Sequence, residues 1–497
     1  MTDQGPDTRR HPDDALHRAL LRASQLLGND RVAYRDRAKA GAEPRRNVSL
    51  FRPRMMHAVL RPRDAQDVQD LVRLFGEPGL AAGLHVVSTG RNWGLGSAEP
   101  ADDGAVMLDL SDLRSIRHLD REAGWAIIEP GVTQAQLSSA VSASGRMLNV
   151  TASSGHTSVL GNALERGVGL RRQRTEDLLG LEVILPDGER IRTGWWPAAN
   201  GQSAFNPHGL GPSLLHLFTQ SNLGIVTAGV IHLLPRPEAQ CVIALTIAPA
   251  QLVQATETLR HWMAQELISG VLKIYDGASA TSYGGRREQH VALVCVSGHA
   301  RRVQALSAIV CDLARDCGQF SQWRRTDVEA PDSNDVVLRV VERAHTGSVE
   351  HNEAMLVAAT GTSADAVDRL GRGWLFFLVL IPFRGEALAR ALEITREASR
   401  DSGLRVGTTV NALSADVIDL VVSLPFPPTP DATRLAHQAL DRLYERFAAA
   451  GLHPYRLDID HAHWRERLAG STEALALSRR LKRWLDPNGL LAQGRYG

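Results

Sequence analysis

Ser88-Thr89-Gly90-Arg91-Asn92-Trp93-Gly94-Leu95-Gly96-Ser97-Ala98-Glu99-Pro100 follows a β-branched run, His85-Val86-Val87-Ser88, that reads as a buried strand. Three glycines, Gly90, Gly94 and Gly96, fall within seven residues. Glycine lets successive backbone N–H groups turn toward one point and lets an anion come close. A nest of this kind suits a pyrophosphate, although an ordinary glycine-rich turn has the same spacing. The stretch matches neither G-x-G-x-x-G nor G-x-x-x-x-G-K-[ST], so the usual dinucleotide and P-loop fingerprints do not apply.

Outward from this loop, short strands and helices alternate. On the N-terminal side, residues 1–14 form a polar tail, and Ala15 to Leu27 has helical apolar spacing. Asp64 is placed to cap a helix whose Val68, Leu71, Val72 and Phe75 share one face. Beyond the loop, strands are expected at Val106–Leu110, Trp125–Glu129, Leu181–Leu185 and Gly224–Leu234, a helix at Gln134–Ala143, and a Gly/Pro/Asn-rich loop from Trp195 to Gly211. After Pro235-Arg236-Pro237 the pattern changes. Two strand–helix–strand sets run from Cys241 to about Pro425, which predicts an antiparallel sheet with helices on one face.

Composition sets wide bounds. A chain of 497 residues holds two or three domains. Its net charge of +1 gives no electrostatic case for nucleic acid or an anionic membrane. Cys241, Cys295, Cys311 and Cys317 have neither metal-ligand spacing nor a disulfide pattern, and no apolar run is long enough to span a bilayer. The expectation is a cytoplasmic protein with a small-molecule substrate and no metal. A homodimer is the default oligomer, because symmetric dimers are the commonest.

Three further stretches follow the glycine loop in order: Gly155 to Gly169, Phe218-Thr219-Gln220-Ser221-Asn222-Leu223-Gly224-Ile225-Val226-Thr227, and Asp486-Pro487-Asn488-Gly489-Leu490-Leu491-Ala492-Gln493-Gly494-Arg495. Together the four resemble the vanillyl-alcohol oxidase / p-cresol methylhydroxylase group of FAD-dependent oxidoreductases, over roughly residues 50 to 497. The resemblance implies an α+β protein: a PCMH-type FAD-binding domain at 15–237, an antiparallel-sheet cap domain at 238–428, and a segment, 429–497, that returns to the FAD domain. It implies FAD contacts from Thr89, Gly90, Arg91, Asn92, Gly94 and Gly96, from Pro130, Gly131 and Val132, from Ser158, Gly161 and Asn162, from Gly224, Ile225 and Val226, and from Arg495. It also implies that Tyr455 and Arg456 hold a substrate oxyanion, for which a hydroxyl donor and a fixed positive charge are suited.

Three positions depart from the family pattern. Leu95 stands where the phenol oxidases have a second phenolate-binding tyrosine, and Ser153 where they keep an aspartate near flavin N5. Trp374 stands where a histidine bonds covalently to the flavin ring, so the FAD is expected to be non-covalent. His156 is the candidate replacement base, since imidazole titrates near neutrality. Arg171, Arg172 and Arg174 are read as a solvated loop or as ligands for an acidic substrate group. Asp458, Asp460, His461 and His463 are read as a solvated or flavin-flanking segment rather than a metal site. The activity that the resemblance implies is hydride transfer from an alcohol, amine or benzylic carbon of an aromatic substrate to flavin N5. The alternatives are a flavin-assisted cyclase or isomerase without net oxidation, and a non-catalytic flavin-binding partner subunit.

Overall fold

The computed structural model describes residues 12–35, 47–80, 82–194, 196–197, 206–284, 289–492 and 494–496. The expected tail lies outside this range as far as residue 11, as does part of the expected loop at Trp195–Gly211. Among the described residues no helix is long and apolar enough to cross a membrane.

Two small sheets form the N-terminal half. In the first, Val32–Tyr34, Met56–Leu60, Ala105–Asp109 and Leu84–Val87 lie in that order, with Ala105–Asp109 parallel to both neighbours. The helix Ala65–Phe75 covers it. Asp64 caps that helix as expected, accepting from the N–H groups of Gln66 and Asp67 at 2.8 and 2.9 Å. Val68, Leu71, Val72 and Phe75 are all buried in the core beneath it. The second sheet is antiparallel, in the order Ile116–Asp120, Trp125–Ile128, Ile225–His232, Leu178–Ile184, Arg190–Gly194. The glycine loop leaves the edge strand Leu84–Val87 and runs toward the third sheet.

That third sheet has eight antiparallel strands and is built from two copies of one plan. Ala239–Ile247, the helix Leu252–Ala264, Leu272–Tyr275, His290–Gly298, the helix Ala300–Asp316 and Gln322–Arg325 make the first βαββαβ unit. Gly373–Pro382, the helix Gly385–Ser402, Gly407–Ala412, Val417–Phe426, the helix Pro430–Ala449 and His453–Arg456 make the second. Each unit has the same internal strand order, and the two join edge to edge where Leu272–Tyr275 pairs with Gly407–Ala412. Strand alternation sorts the side chains. Leu272, Ile274, Val410, Ala412, Ile418 and Leu420 pack under the helices, while Val242, Ala244, Val291 and Leu293 face the five-stranded sheet.

The duplication corrects one boundary. The segment expected to return to the FAD domain from residue 429 begins by completing the second unit: Ala436, Ala439, Leu440, Leu443 and Phe447 are buried in the helix-side core, and His453–Arg456 is the sheet's last strand. The chain reaches the first sheet only near its end, where Leu491 bridges to Leu84.

Candidate active site

Two adjoining cavities lie between the small sheets and the eight-stranded sheet. The first is a long cleft. Thr89, Gly90, Arg91 and Asn92 line it, with Pro130, Ser158, Gly161, Asn162, Gly224, Ile225, Val226 and Arg495. Twelve of the sixteen residues expected at FAD, drawn from five separated stretches, therefore meet around one space. Local packing explains how the chain comes so close here. A Cβ on Gly161 would lie 2.4 Å from Ser88 Oγ, and one on Gly224 would lie 2.5 Å from Val183. Ser158 caps the turn that follows: its hydroxyl donates to Pro130 O at 2.6 Å and accepts from the Gly161 N–H at 2.8 Å.

The other four do other work. Gly94, at φ +82°, receives the ring of Phe376 at 2.3 Å from where a Cβ would stand. Gly96, at φ +117°, is met in the same way by Ile459 at 2.5 Å. Both glycines admit side chains of the eight-stranded domain rather than a phosphate. Gly131 is pressed against the Ser111 carbonyl, and Val132 is fully buried in the core. None of these four lines the cleft.

The glycine loop is also held from outside. The Asp368 carboxylate accepts from Ser97 Oγ at 2.5 Å, from Trp93 Nε1 at 3.1 Å and from the Val48 N–H at 3.0 Å. Arg91 pairs with Asp365 at 2.8 Å. Sequence reading missed this clamp, because it joins residues more than 270 apart.

The second cavity lies against the eight-stranded sheet. Tyr455, Arg456, Ser153, Leu95 and Trp374 line it, as do Lys273, Asn411, Asp419, Tyr275 and Tyr283. Arg91, Asn92, Asn162 and Arg456 line both cavities. Arg456 donates to Asn92 Oδ1 at 2.9 Å, which ties the last strand of the sheet to the glycine loop. Tyr455 OH donates to Asp419 at 3.4 Å; burial, then the Asp419 charge, pushes its ionisation well above the usual phenol range. Burial raises Asp419 to about 6, against hydrogen bonding from Asn411 and the charge of Lys273. Lys273, 7% exposed, is lowered by burial to about 8.

Lys273 and Asp419 were not expected at the site. Each left a signal in the sequence: a single charge inside an apolar strand, Leu272-Lys273-Ile274-Tyr275 and Val417-Ile418-Asp419-Leu420-Val421. A charge on a buried strand face needs a polar partner or a cavity.

Four further expectations are corrected or refined. His156 lines neither cavity and is exposed at the surface, where it acts electrostatically on Asp365, so it is not placed as a base for substrate in the cavity. Ser153 does line the second cavity, its hydroxyl 2.5 Å from that of Thr151. Arg171, Arg172 and Arg174 do not line either cavity, and their guanidinium groups are engaged within the protein rather than free in a solvated loop. Arg171 donates to Ser297 and to the His345 carbonyl, Arg172 to Asp177 and His232, and fully buried Arg174 to Gln134. In the expected solvated segment, His461 is enclosed by Asp458 and Asp441 at 2.9 and 3.1 Å and stacks on Tyr444. Among the described residues no group of three His, Cys, Asp or Glu is placed to hold a metal.

The donor set fits FAD. Arg91 Nη1, Asn162 Oδ1 and Arg456 Nε are buried polar atoms without a protein partner among the described residues, and all three side chains line the first cleft. Residues 56–194 match the FAD binding domain family. The whole chain is 24% identical to the flavoprotein subunit of 4-cresol dehydrogenase (hydroxylating) from Pseudomonas putida, covering 97% of this chain and 95% of that one. Residues 56–194 thus carry an FAD binding domain, and over its length the chain resembles the p-cresol methylhydroxylase group of FAD-linked oxidoreductases. It is also 29% identical to 1'-carboxy-chondrochloren decarboxylase from Chondromyces crocatus over 97% of both chains. Its fold is that of solved p-cresol methylhydroxylase, with a TM-score of 0.86 at 22% identity over 97% of each chain. The residues expected at FAD thus gather along the first cleft, and the second cavity adjoins it through Arg456 and Asn92.

Proposed function

We propose that this chain is an FAD-dependent oxidoreductase that oxidises a carbon of a phenolic or related aromatic substrate bound in the second cavity, with FAD held non-covalently in the first. The observation that carries this reading is Arg456, which lines both cavities beside Tyr455. Its guanidinium fixes an oxyanion next to the cleft, while the Tyr455 hydroxyl, exchanging its long bond to Asp419 for one to substrate, donates to the same oxygen. FAD bound there would accept a hydride from the substrate carbon. Trp374 supports dissociable FAD: its indole N–H donates to Ser423 Oγ at 2.8 Å, and the ring offers no nucleophile for a flavin bond.

A second reading couples this oxidation to loss of carbon dioxide, the activity named for the Chondromyces relative. Ser153 and the lone cavity carboxylate favour it. Among the described residues lining the cavity, Asp419 is the one acid, and hydroxyls of Thr151 and Ser153 occupy the wall where the family keeps an aspartate. Forming a carbon–carbon double bond after hydride loss ordinarily needs a base to remove a proton from the neighbouring carbon. If that carbon carries a carboxylate, the C–C bond to it breaks instead, its electron pair forms the double bond, and carbon dioxide leaves without a base.

Anaerobic mixing of the FAD-loaded protein with para-alkylphenols, followed by absorbance, tests the reading. Bleaching of the flavin is expected, and the Tyr455→Phe/Arg456→Ala double variant should slow it by about a hundredfold or more. Undiminished bleaching in that variant would overturn the site. With para-hydroxyphenylpropanoate as the probe, product mass with or without the carboxylate separates the two readings.

A further inference from the structure

We propose that Lys273 is a second anion-binding position in this cavity, and that the substrate carries a carboxylate in addition to the hydroxyl held by Tyr455 and Arg456. This rests on the reading of the cavity as the substrate site.

Lys273 stands at the seam between the two βαββαβ units, directly opposite Asn411 in the strand register. Leu272 and Ile274 on either side face the helix core, so alternation sends Lys273 and Tyr275 to the cavity. An ammonium has three N–H donors. The structure gives this one a single hydrogen bond, to Asn411 Oδ1. The Asn411 amide then donates to Asp419 at 3.0 Å, so Asn411 stands between the two charges. Among the described residues no carboxylate is recorded within ion-pair distance of Lys273, although Asp419 acts on it through space. The Tyr275 ring lies 5.7 Å from the ammonium nitrogen.

A buried ammonium with donors to spare is costly unless something else completes its shell. It lines a cavity whose charged groups are Arg91, Lys273 and Arg456 against Asp419 alone. Arg91 is already paired with Asp365, and Arg456, which donates to the neutral amide of Asn92, is the cation assigned to the substrate hydroxyl. A carboxylate is the chemistry that fits the remaining cation. It neutralises Lys273 and accepts its free N–H groups, as charge-assisted bonds do best in a buried setting. The titratable groups facing Lys273 are Asp419, Tyr275, Tyr283 and Tyr455 across the cavity and His345 behind it; the tyrosines and the deprotonation-prone His345 stay neutral near pH 7, so the pH response belongs to Lys273 and Asp419. With Lys273 lowered to about 8, the ammonium is charged at neutrality and lost in mild alkali.

The test titrates the FAD-loaded enzyme with para-hydroxyphenylpropanoate and with para-propylphenol, reading the flavin difference spectrum. Near neutral pH the acid should bind about tenfold or more tightly than the neutral phenol. The preference should fall as pH rises through about 8 and disappear in Lys273→Met, while Lys273→Arg keeps part of it. Equal affinities in the wild type, or a preference that survives in Lys273→Met, would overturn the proposal. The wild-type pair of ligands decides the matter even if a variant fails to fold. Neither compound perturbing the flavin would instead overturn the functional reading beneath it.

Discussion

Asp368 shows how much the site depends on single side chains outside it. One carboxylate accepts from Ser97, Trp93 and the Val48 N–H, and all three donors are buried or nearly so. Removing it leaves these donors unsatisfied, which costs about 2 kcal/mol. Asp368→Ala should therefore lower thermal stability by that amount and weaken FAD binding, measured by melting and by flavin titration of the apoprotein. An unchanged melting point would mean that the loop holds itself. At this scale the sequence was legible where a residue type is needed for its chemistry in a contiguous run, as with Tyr455-Arg456 or Thr89 to Asn92. It was not legible where function depends on a distant partner. Lys273 and Asp419 reach one cavity only because Asn411 lies between them across two strand pairings. Gly94 and Gly96 were misassigned because a glycine that admits Phe376 or Ile459 looks, in a one-dimensional reading, like one that admits a phosphate.

Among the elements, the segment that joins the last strand of the eight-stranded sheet to the C-terminal helices has its own pH dependence. Ile459 packs on Gly96, Asp460 pairs with Arg54, and His461 sits between Asp458 and Asp441. Burial works against charging His461. The hydrogen bond and charge of Asp458, with Asp441 and Asp460, outweigh it and raise the imidazole above its ordinary value of 6.5. Because the folded pKa is the higher one, this stabilisation is complete below the unfolded value and is lost as pH rises through the folded one. The melting temperature should therefore fall on going from mildly acidic to mildly alkaline buffer, and His461→Asn should flatten that slope. An equal slope in the variant would assign the effect elsewhere. Strands and helices of the two βαββαβ units were legible from periodicity where they are long, as in Cys241–Ile247 or Trp374–Ile381. The four-residue strand Leu272–Tyr275 was not, because so short a run has no period to read. That strand and Gly407–Ala412 form the seam, so the duplication itself stayed hidden.

For the molecule as a whole, two small sheets supply most of the first cleft and the duplicated sheet supplies the wall of the second cavity. The family and the two-part architecture were legible because four stretches recur in order along the chain. The C-terminal boundary was not, because Pro430–Ala449 completes a unit that opens at Gly373, and the apolar spacing of a helix gives no sign of which sheet it covers. The central proposal is that this cleft holds FAD without a covalent bond: Trp374, which the resemblance puts at the linking position, donates its N–H to Ser423. Acid precipitation of the purified flavoprotein, with absorbance read on supernatant and pellet, tests it most directly. The account predicts that the flavin band moves to the supernatant and that its mass is that of FAD. A yellow pellet would contradict it, by placing a covalent link on this chain that Trp374 cannot make.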